Sequence, residues 1–360
     1  MSVWLLKPAE LALKGDNRKS FEDALLRNLK ALLPPAEGKT KITKTNGRFY
    51  VRRPDEETEA VENVLSRLPG ISGWAKTSSC EKTPEAVLRA CVEEGKKLLA
   101  LGVTTFKIDA RRTDKAFPLD SYEICRQAGD AVVRGAEGLK VNVRKPEEII
   151  TVEIREKAYI YSCAKKGLGG LPARTAGKGL LLLSGGIDSP VAGFLMAVRG
   201  MGVDAIHFHA YPYTSEESRQ KVKKLAEIIG AYCMGVRLHI INFAPVQLRI
   251  KERAPAPWAT VLLRMAMMEA AEASALKSKC KCLITGESLS QVASQTIENI
   301  NCAQSRIKLP VLRPLIGLCK DAIIRESERI GAYPVSIQPY EDCCSLFSPP
   351  HPVLRGNAAE

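Results

Sequence analysis

Residues 180–200, LLLLSGGIDSPVAGFLMAVRG, pass from four leucines through Ser-Gly-Gly into an apolar segment of helical spacing. A short apolar run closed by turn residues reads as a strand buried on both faces, the pattern of a parallel sheet. Strand, glycine turn and helix in that order place backbone N–H groups and a helix N-terminus at the carboxyl end of the strand, where anions bind. Gly185 and Gly186 let the backbone approach phosphate oxygens, and Ser184 and Ser189 add hydroxyl donors. Asp188 is an acid in an anion site. A carboxylate there fits one of two tasks, holding Mg²⁺ against phosphates or positioning an attacking group.

Downstream, strands at 179–183, 203–209, 236–242 and 280–286 alternate with helices at 190–199, 216–230 and 257–277. Such alternation predicts crossover connections and a parallel sheet covered by helices. Upstream, AKKGLGGLPARTAGKG (164–179) is glycine-rich and basic, the composition of a linker. Its Gly177-Lys178 imitates the end of a Walker A loop, but Pro172 stands five residues before Gly177 and Gly179 replaces the magnesium-holding Ser or Thr, which excludes a P-loop.

At the N-terminus a Lys14-Gly15-Asp16-Asn17 turn precedes Phe21, Ala24, Leu25, Leu29 and Leu32 at helical spacing, and the Asn46-Gly47 pair in TKITKTNGRFYVRR predicts a hairpin. A second α/β unit follows, with helices at 56–67, 84–100 and 121–136 and strands at 104–112, 141–144, 149–155 and 158–162.

The net charge of +13 calls for a polyanionic partner, and residues 1–53 carry twelve Lys or Arg against five Asp or Glu. Nucleic acid explains that concentration better than a solubilising charge. The basic helix face, with Lys14, Arg18, Lys19, Arg27 and Lys30, is the candidate RNA-binding surface. Eleven cysteines without a CxxC pair give neither a disulfide framework nor a zinc knuckle, so no metal ligands are assigned. No apolar run approaches the roughly 18 residues of a membrane span, and MSVWLLKPAE lacks the layout of a secretory signal; a cytoplasmic protein is expected.

The SGGIDS turn resembles the pyrophosphatase loop (PP-loop) of the ATP pyrophosphatases, which cleave ATP between the α and β phosphates. Within them the chain is most similar to the tRNA 4-thiouridine synthetases, also linked to thiamine thiazole synthesis. ELALKGDNRKSFEDAL, GGLPARTAGKGLLLLSGGIDSPVAG, TGESLSQVASQT (285–296) and QPYEDCCSLFSPPHP (338–352) carry that resemblance across the chain. It implies an N-terminal ferredoxin-like domain at 1–54, a THUMP RNA-binding domain at 55–165, a linker at 166–175 and the PP-loop ATP pyrophosphatase catalytic domain at 176–360. It also implies ATP with Mg²⁺ and tRNA as partner. The nucleotide positions it assigns are Leu182, Leu183, Ser184, Gly185, Gly186, Ser189, His207, Phe208, Arg264 (Lys in many relatives), Gly286 and Gln295, with Asp188 and Cys344 as catalytic residues. Met265, Met267 and Met268 are read as core packing.

The activity so implied is ATP-dependent adenylation of a tRNA uridine at O4, at position 8 by resemblance, followed by replacement of that oxygen with sulfur. Longer relatives add a C-terminal rhodanese domain, whereas this sequence ends at Glu360, leaving the donor open between a persulfide from a cysteine desulfurase and free sulfide. A cluster joining Cys344 to Cys280 and Cys282 is a further alternative, disfavoured by the CxC spacing on a strand. A homodimer is also left open. Two other readings compete: a small-molecule ATP pyrophosphatase ligase, which leaves the basic N-terminal region without purpose, and a non-enzymatic RNA-binding module, which leaves the loop without purpose.

Overall fold

The computed structural model describes residues 1–35, 40–45, 47–340 and 351–357, the side chain of Ala12 excepted. They form two compact units, residues 1–18 with 29–169, and residues 19–28 with 170–360.

The first unit contains, in chain order, β1 (Ser2–Pro8), α1 (Arg18–Leu32, of which residues 19–28 group with the second unit), β2 (Lys41–Thr45), β3 (Arg48–Arg53), α2 (Thr58–Ser66), β4 (Ile71–Cys80), α3 (Pro84–Ala100), β5 (Thr105–Arg112), α4 (Ser121–Gly135), β6 (Lys140–Val141), β7 (Glu148–Ile154), β8 (Ala158–Tyr161) and β9 (Lys165–Lys166). One sheet runs β2-β3-β1-β4-β8-β7-β5-β6, with β9 beside β4. β4 joins its two halves: Ile71–Thr77 pair with β1, and Ser78–Cys80 pair with β8. Local signals fix the helices. Thr83 caps α3 ahead of Pro84, and Asp120 with Glu123 forms a capping box on α4. Val87, Cys91 and Leu98 of α3 pack with Ile124, Ala128 and Val132 of α4 over Phe106, Ile150, Val152 and Ile160 of the sheet.

One expectation needs correction. The strand expected at 141–144 stops at Val141, because the Asn142 side-chain oxygen accepts from the N–H groups of Arg144 and Lys145 and turns the chain away. In the glycine-rich segment expected to be a linker, Gly167 and Gly169 donate to the carbonyls of Ser72 and Ile71, and Leu171 donates to that of Val198. Gly170 is required there, since a Cβ would lie 2.0 Å from the Val198 carbonyl oxygen at φ +66°.

The second unit continues with β10 (Lys178–Leu182), α5 (Asp188–Val198), β11 (Gly202–His209), α6 (Glu216–Cys233), β12 (Leu238–Asn242), α7 (Ala244–Arg253), α8 (Ala259–Lys277), β13 (Leu283–Ile284), α9 (Ile297–Gln304), β14 (Val311–Leu312), α10 (Lys320–Arg329) and α11 (Tyr333–Ser336). Its five strands are all parallel in the order β12-β11-β10-β13-β14. The chain winds outward from β10 through β11 to β12, then returns to the other side of β10. The strand order therefore reverses between β10 and β13, and ligands bind beyond the carboxyl ends of the strands at such a switch. Leu180 and Leu181 are wholly buried, as a parallel strand covered on both faces requires.

Candidate active site

A cleft opens at that switch point, lined by Leu182, Leu183, Ser184, Asp188, Ser189, His207, Phe208, Arg264, Met267, Thr285, Gly286, Glu287 and Gln295. Of the residues expected at the nucleotide, all but Gly185 and Gly186 line it, and so does Asp188. Those two glycines lie in the turn without lining the cleft.

The turn is built by its own hydroxyls. Ser189 Oγ accepts from the Ser184 N–H at 2.9 Å and lies 3.1 Å from Ser184 Oγ, which accepts from the Gly186 N–H at 3.2 Å. Gly286 belongs here for space: a Cβ on it would stand 2.8 Å from the Ser189 nitrogen at the start of α5. His207, 3% exposed, donates from Nδ1 to the Leu183 carbonyl at 3.0 Å, since a carbonyl only accepts, and this fixes its ring at the cleft.

Asp188 is held at both oxygens: Oδ1 accepts from Lys320 Nζ at 2.6 Å and Oδ2 from Gln291 Nε2 at 2.9 Å. Across the cleft Glu287, 2% exposed, lies between two arginines. Its carboxylate accepts from Arg264 Nη2, from Arg313 Nε at 2.7 Å and from Thr285 Oγ1 at 2.8 Å. Burial pushes the Glu287 carboxyl up, but the Coulombic pull of Arg264 and Arg313 outweighs it and holds the group below the usual glutamate range.

These partners were not legible in the sequence. Met267, assigned to the core, also lines the cleft, while Met268 is core and Met265 lines a groove with α7. Thr285, Glu287, Gln291, Arg313 and Lys320 went unnoticed. One signal was available for Glu287: a carboxylate immediately after Gly286, in the turn that follows β13.

The residues fit a purine nucleotide. Gln295 presents a buried amide oxygen with no hydrogen-bond partner among the described residues, which suits an exocyclic amine, beside the apolar walls of Leu182, Phe208 and Met267. They do not form a protein cage for Mg²⁺: both Asp188 oxygens are engaged, Glu287 is ion-paired, and no group of three or more potential metal ligands occurs among the described residues.

Cys280 and Cys282 are buried, and burial pushes the Cys280 thiol up to about 11. The Cys282 thiol faces Met201, and neither cysteine lines the cleft, so the pair offers no cluster site there. Cys344 and its neighbour Cys343 lie outside the described residues. Of the basic residues expected to meet RNA, Arg18, Lys19, Arg27 and Lys30 are exposed and Lys14 is half-buried.

A Ser-Gly-Gly turn at the switch point of a parallel sheet, following an α/β sheet unit, defines a PP-loop enzyme with appended N-terminal modules. The comparisons specify it further. Residues 174–360 match the family described as Thiamine biosynthesis protein (ThiI), residues 3–75 its ferredoxin-like domain and residues 81–162 the THUMP domain. A probable tRNA sulfurtransferase of Treponema pallidum (strain Nichols) is 45% identical over 99% of this chain and 89% of its own. Another, from Caldanaerobacter subterraneus, is 44% identical over 98% and 92%. Among solved structures, a 4-thiouridine synthetase–RNA complex with bound ATP aligns with a TM-score of 0.90 at 34% identity, covering 100% of this chain and 92% of that one. The chain belongs to the ThiI family of tRNA sulfurtransferases.

Proposed function

We propose that the cleft at the carboxyl ends of β10 and β13 binds ATP and activates a tRNA uridine there, the first half of an ATP-dependent tRNA sulfurtransferase reaction that yields 4-thiouridine. One observation carries this assignment: an anion-binding turn, Ser184–Ser189, and an apolar wall that suits a purine face meet in a single cleft at the switch point. Neither competing reading accounts for both that cleft and the exposed basic face of α1.

Oxide does not leave from C4 of uracil unaided. Uracil O4 attacks the α-phosphorus, pyrophosphate departs with the electrons of the broken P–O bond, and N3 gives up its proton. Hydrosulfide adding at C4 then expels the oxygen as part of AMP, and its proton returns to N3. The chain's part in the first step is to hold the triphosphate against the turn and to keep Asp188, with Lys320 on one oxygen and Gln291 on the other, at the phosphate end of the cleft. Mg²⁺ accompanies the triphosphate.

Sulfur comes from a persulfide-bearing partner such as a cysteine desulfurase, or from free sulfide. The persulfide route ends in a disulfide and consumes a thiol reductant. Cys344 is the thiol assigned to delivery. Uridine 8 as the target, a homodimer, a cytoplasmic setting and sulfur supply to thiamine thiazole belong to the same reading through family resemblance; in the structure, no helix among the described residues is long and apolar enough to cross a membrane.

The test measures 4-thiouridine and AMP with tRNA and either sulfur source. Both products should require ATP and tRNA; AMP release indifferent to tRNA returns the argument to a small-molecule ligase. Cys344→Ser should consume ATP with tRNA yet make no 4-thiouridine from a persulfide-charged desulfurase, while Cys343→Ser loses little. Recovery of the Cys344 variant with excess sulfide limits the thiol to delivery, and normal thiolation from the persulfide donor removes Cys344 from the mechanism.

A further inference from the structure

The bonding around Glu287 extends the ATP reading and rests on it. Arg264 reaches the cleft from α8 on a long side chain with many rotamers, and a guanidinium binds a ligand well only when its fork is held in place. Glu287 supplies that hold. Its Oε1 accepts from Arg264, and its Oε2 is itself fixed by Arg313 from the end of β14 and by Thr285 from the end of β13. Glu287 is 2% exposed, so its partners cannot be replaced by bulk water. One carboxylate between two guanidiniums leaves a net positive charge, and Arg264 is the member of the pair that lines the cleft.

The geometry points to Glu287 as a positioning residue that sets the Arg264 guanidinium against the bound nucleotide, with Arg313 and Thr285 bracing Glu287. Its effect on ATP passes through Arg264. All lone pairs of the carboxylate that face named donors are engaged in this bracing, and its negative charge does not suit direct contact with phosphates.

A double-mutant cycle on equilibrium ATP affinity separates this role from a purely structural one. Glu287→Gln should weaken ATP about tenfold, inside the range of coupling between residues of one hydrogen-bond and salt-bridge network. In an Arg264→Met background the same change should cost less than about twofold, because the group through which it acts is gone. Arg264→Lys should retain most of the affinity lost in Arg264→Met, since a cation still meets Glu287.

Equal, additive losses in both backgrounds overturn the positioning role while leaving the ATP site intact. If Arg264→Met alone leaves ATP affinity unchanged, this arginine does not meet the nucleotide and the positioning role fails, while the ATP reading of the cleft, which rests on the turn and the apolar wall, fails only if the wild type itself does not bind ATP. Should Glu287→Gln not fold, Glu287→Asp runs the same cycle: it keeps the charge but withdraws the carboxylate from Arg264, and the same pattern of coupling is expected.

Discussion

Each unit buries one glutamate between two arginines, and the two put the same chemistry to different ends. In the first unit Glu153, on β7, is fully buried and accepts from Arg48, from Arg155 Nε at 2.5 Å and from the Tyr161 hydroxyl at 2.9 Å. Its partners all belong to the sheet or its edge, and its bonds tie β3, β7 and β8 together. In the second unit Glu287 has equally complete bonding but lines a cleft, and one of its arginines does too. Burial pushes both carboxyls up and the flanking arginines more than reverse it, so both stay ionised. An ion pair enclosed by a sheet fixes a fold; one at the edge of a cleft fixes the shape of a site.

That contrast breaks most visibly in stability. Glu153→Gln should cost about 3–5 kcal/mol in urea unfolding, the range for stranding one side of a buried pair, while ATP affinity stays unchanged. A loss of ATP affinity equal to that of Glu287→Gln would erase the distinction between the two sites.

Lys320→Met strips Asp188 of its cation but leaves Gln291 in place. It should lower the rate of AMP formation about 100- to 1,000-fold, the scale of one donor lost from a preorganised site, with a smaller change in ATP affinity. Single-turnover quench experiments separate the two. Unchanged chemistry would make the Lys320 contact merely structural.

A weaker effect is expected from pH. Because the folded-state pKa of Glu153 and of Glu287 lies below the ordinary value, the stability each contributes is fully present above that ordinary value. It is lost as pH falls below about 4.5 and through the folded value. Thermal unfolding followed across that window should show a slope that each Gln variant reduces; an unaltered slope would mean the carboxyls are not held low.

The smallest change per residue is expected on the basic face of α1. Reversing Arg18, Lys19, Arg27 or Lys30 should weaken tRNA binding across sequences and reduce the salt slope by roughly 0.9 per lost phosphate contact, borrowing the value for B-DNA. An unaltered salt dependence would reduce the charge to a solubilising one.

What the sequence disclosed follows the same division. α3 was read at 84–100 as it stands, because Thr83, Pro84 and the apolar spacing are all local. The Ser184–Ser189 turn is legible because its six residues are contiguous. β4, ISGWAKTSSC, went unread: its polar residues and Gly73 give no clear alternation, and its strand character comes from β1 and β8, which lie far along the chain. The second wall of the cleft failed for the same reason. Arg264, Glu287 and Arg313 become one group only when α8, β13 and β14 are brought together, and Lys320 meets Asp188 across 132 residues. Residues that act through distant partners carry no spacing of their own.

On this mechanism ATP is cleaved at the turn containing Asp188 only to activate tRNA. The most direct test is single-turnover release of AMP and pyrophosphate by the wild type and by Asp188→Ala, each with and without tRNA, alongside tRNA affinity. The expected result is tRNA-dependent AMP from the wild type and none from the variant, with tRNA affinity within about twofold. Undiminished AMP formation by Asp188→Ala would contradict the claim.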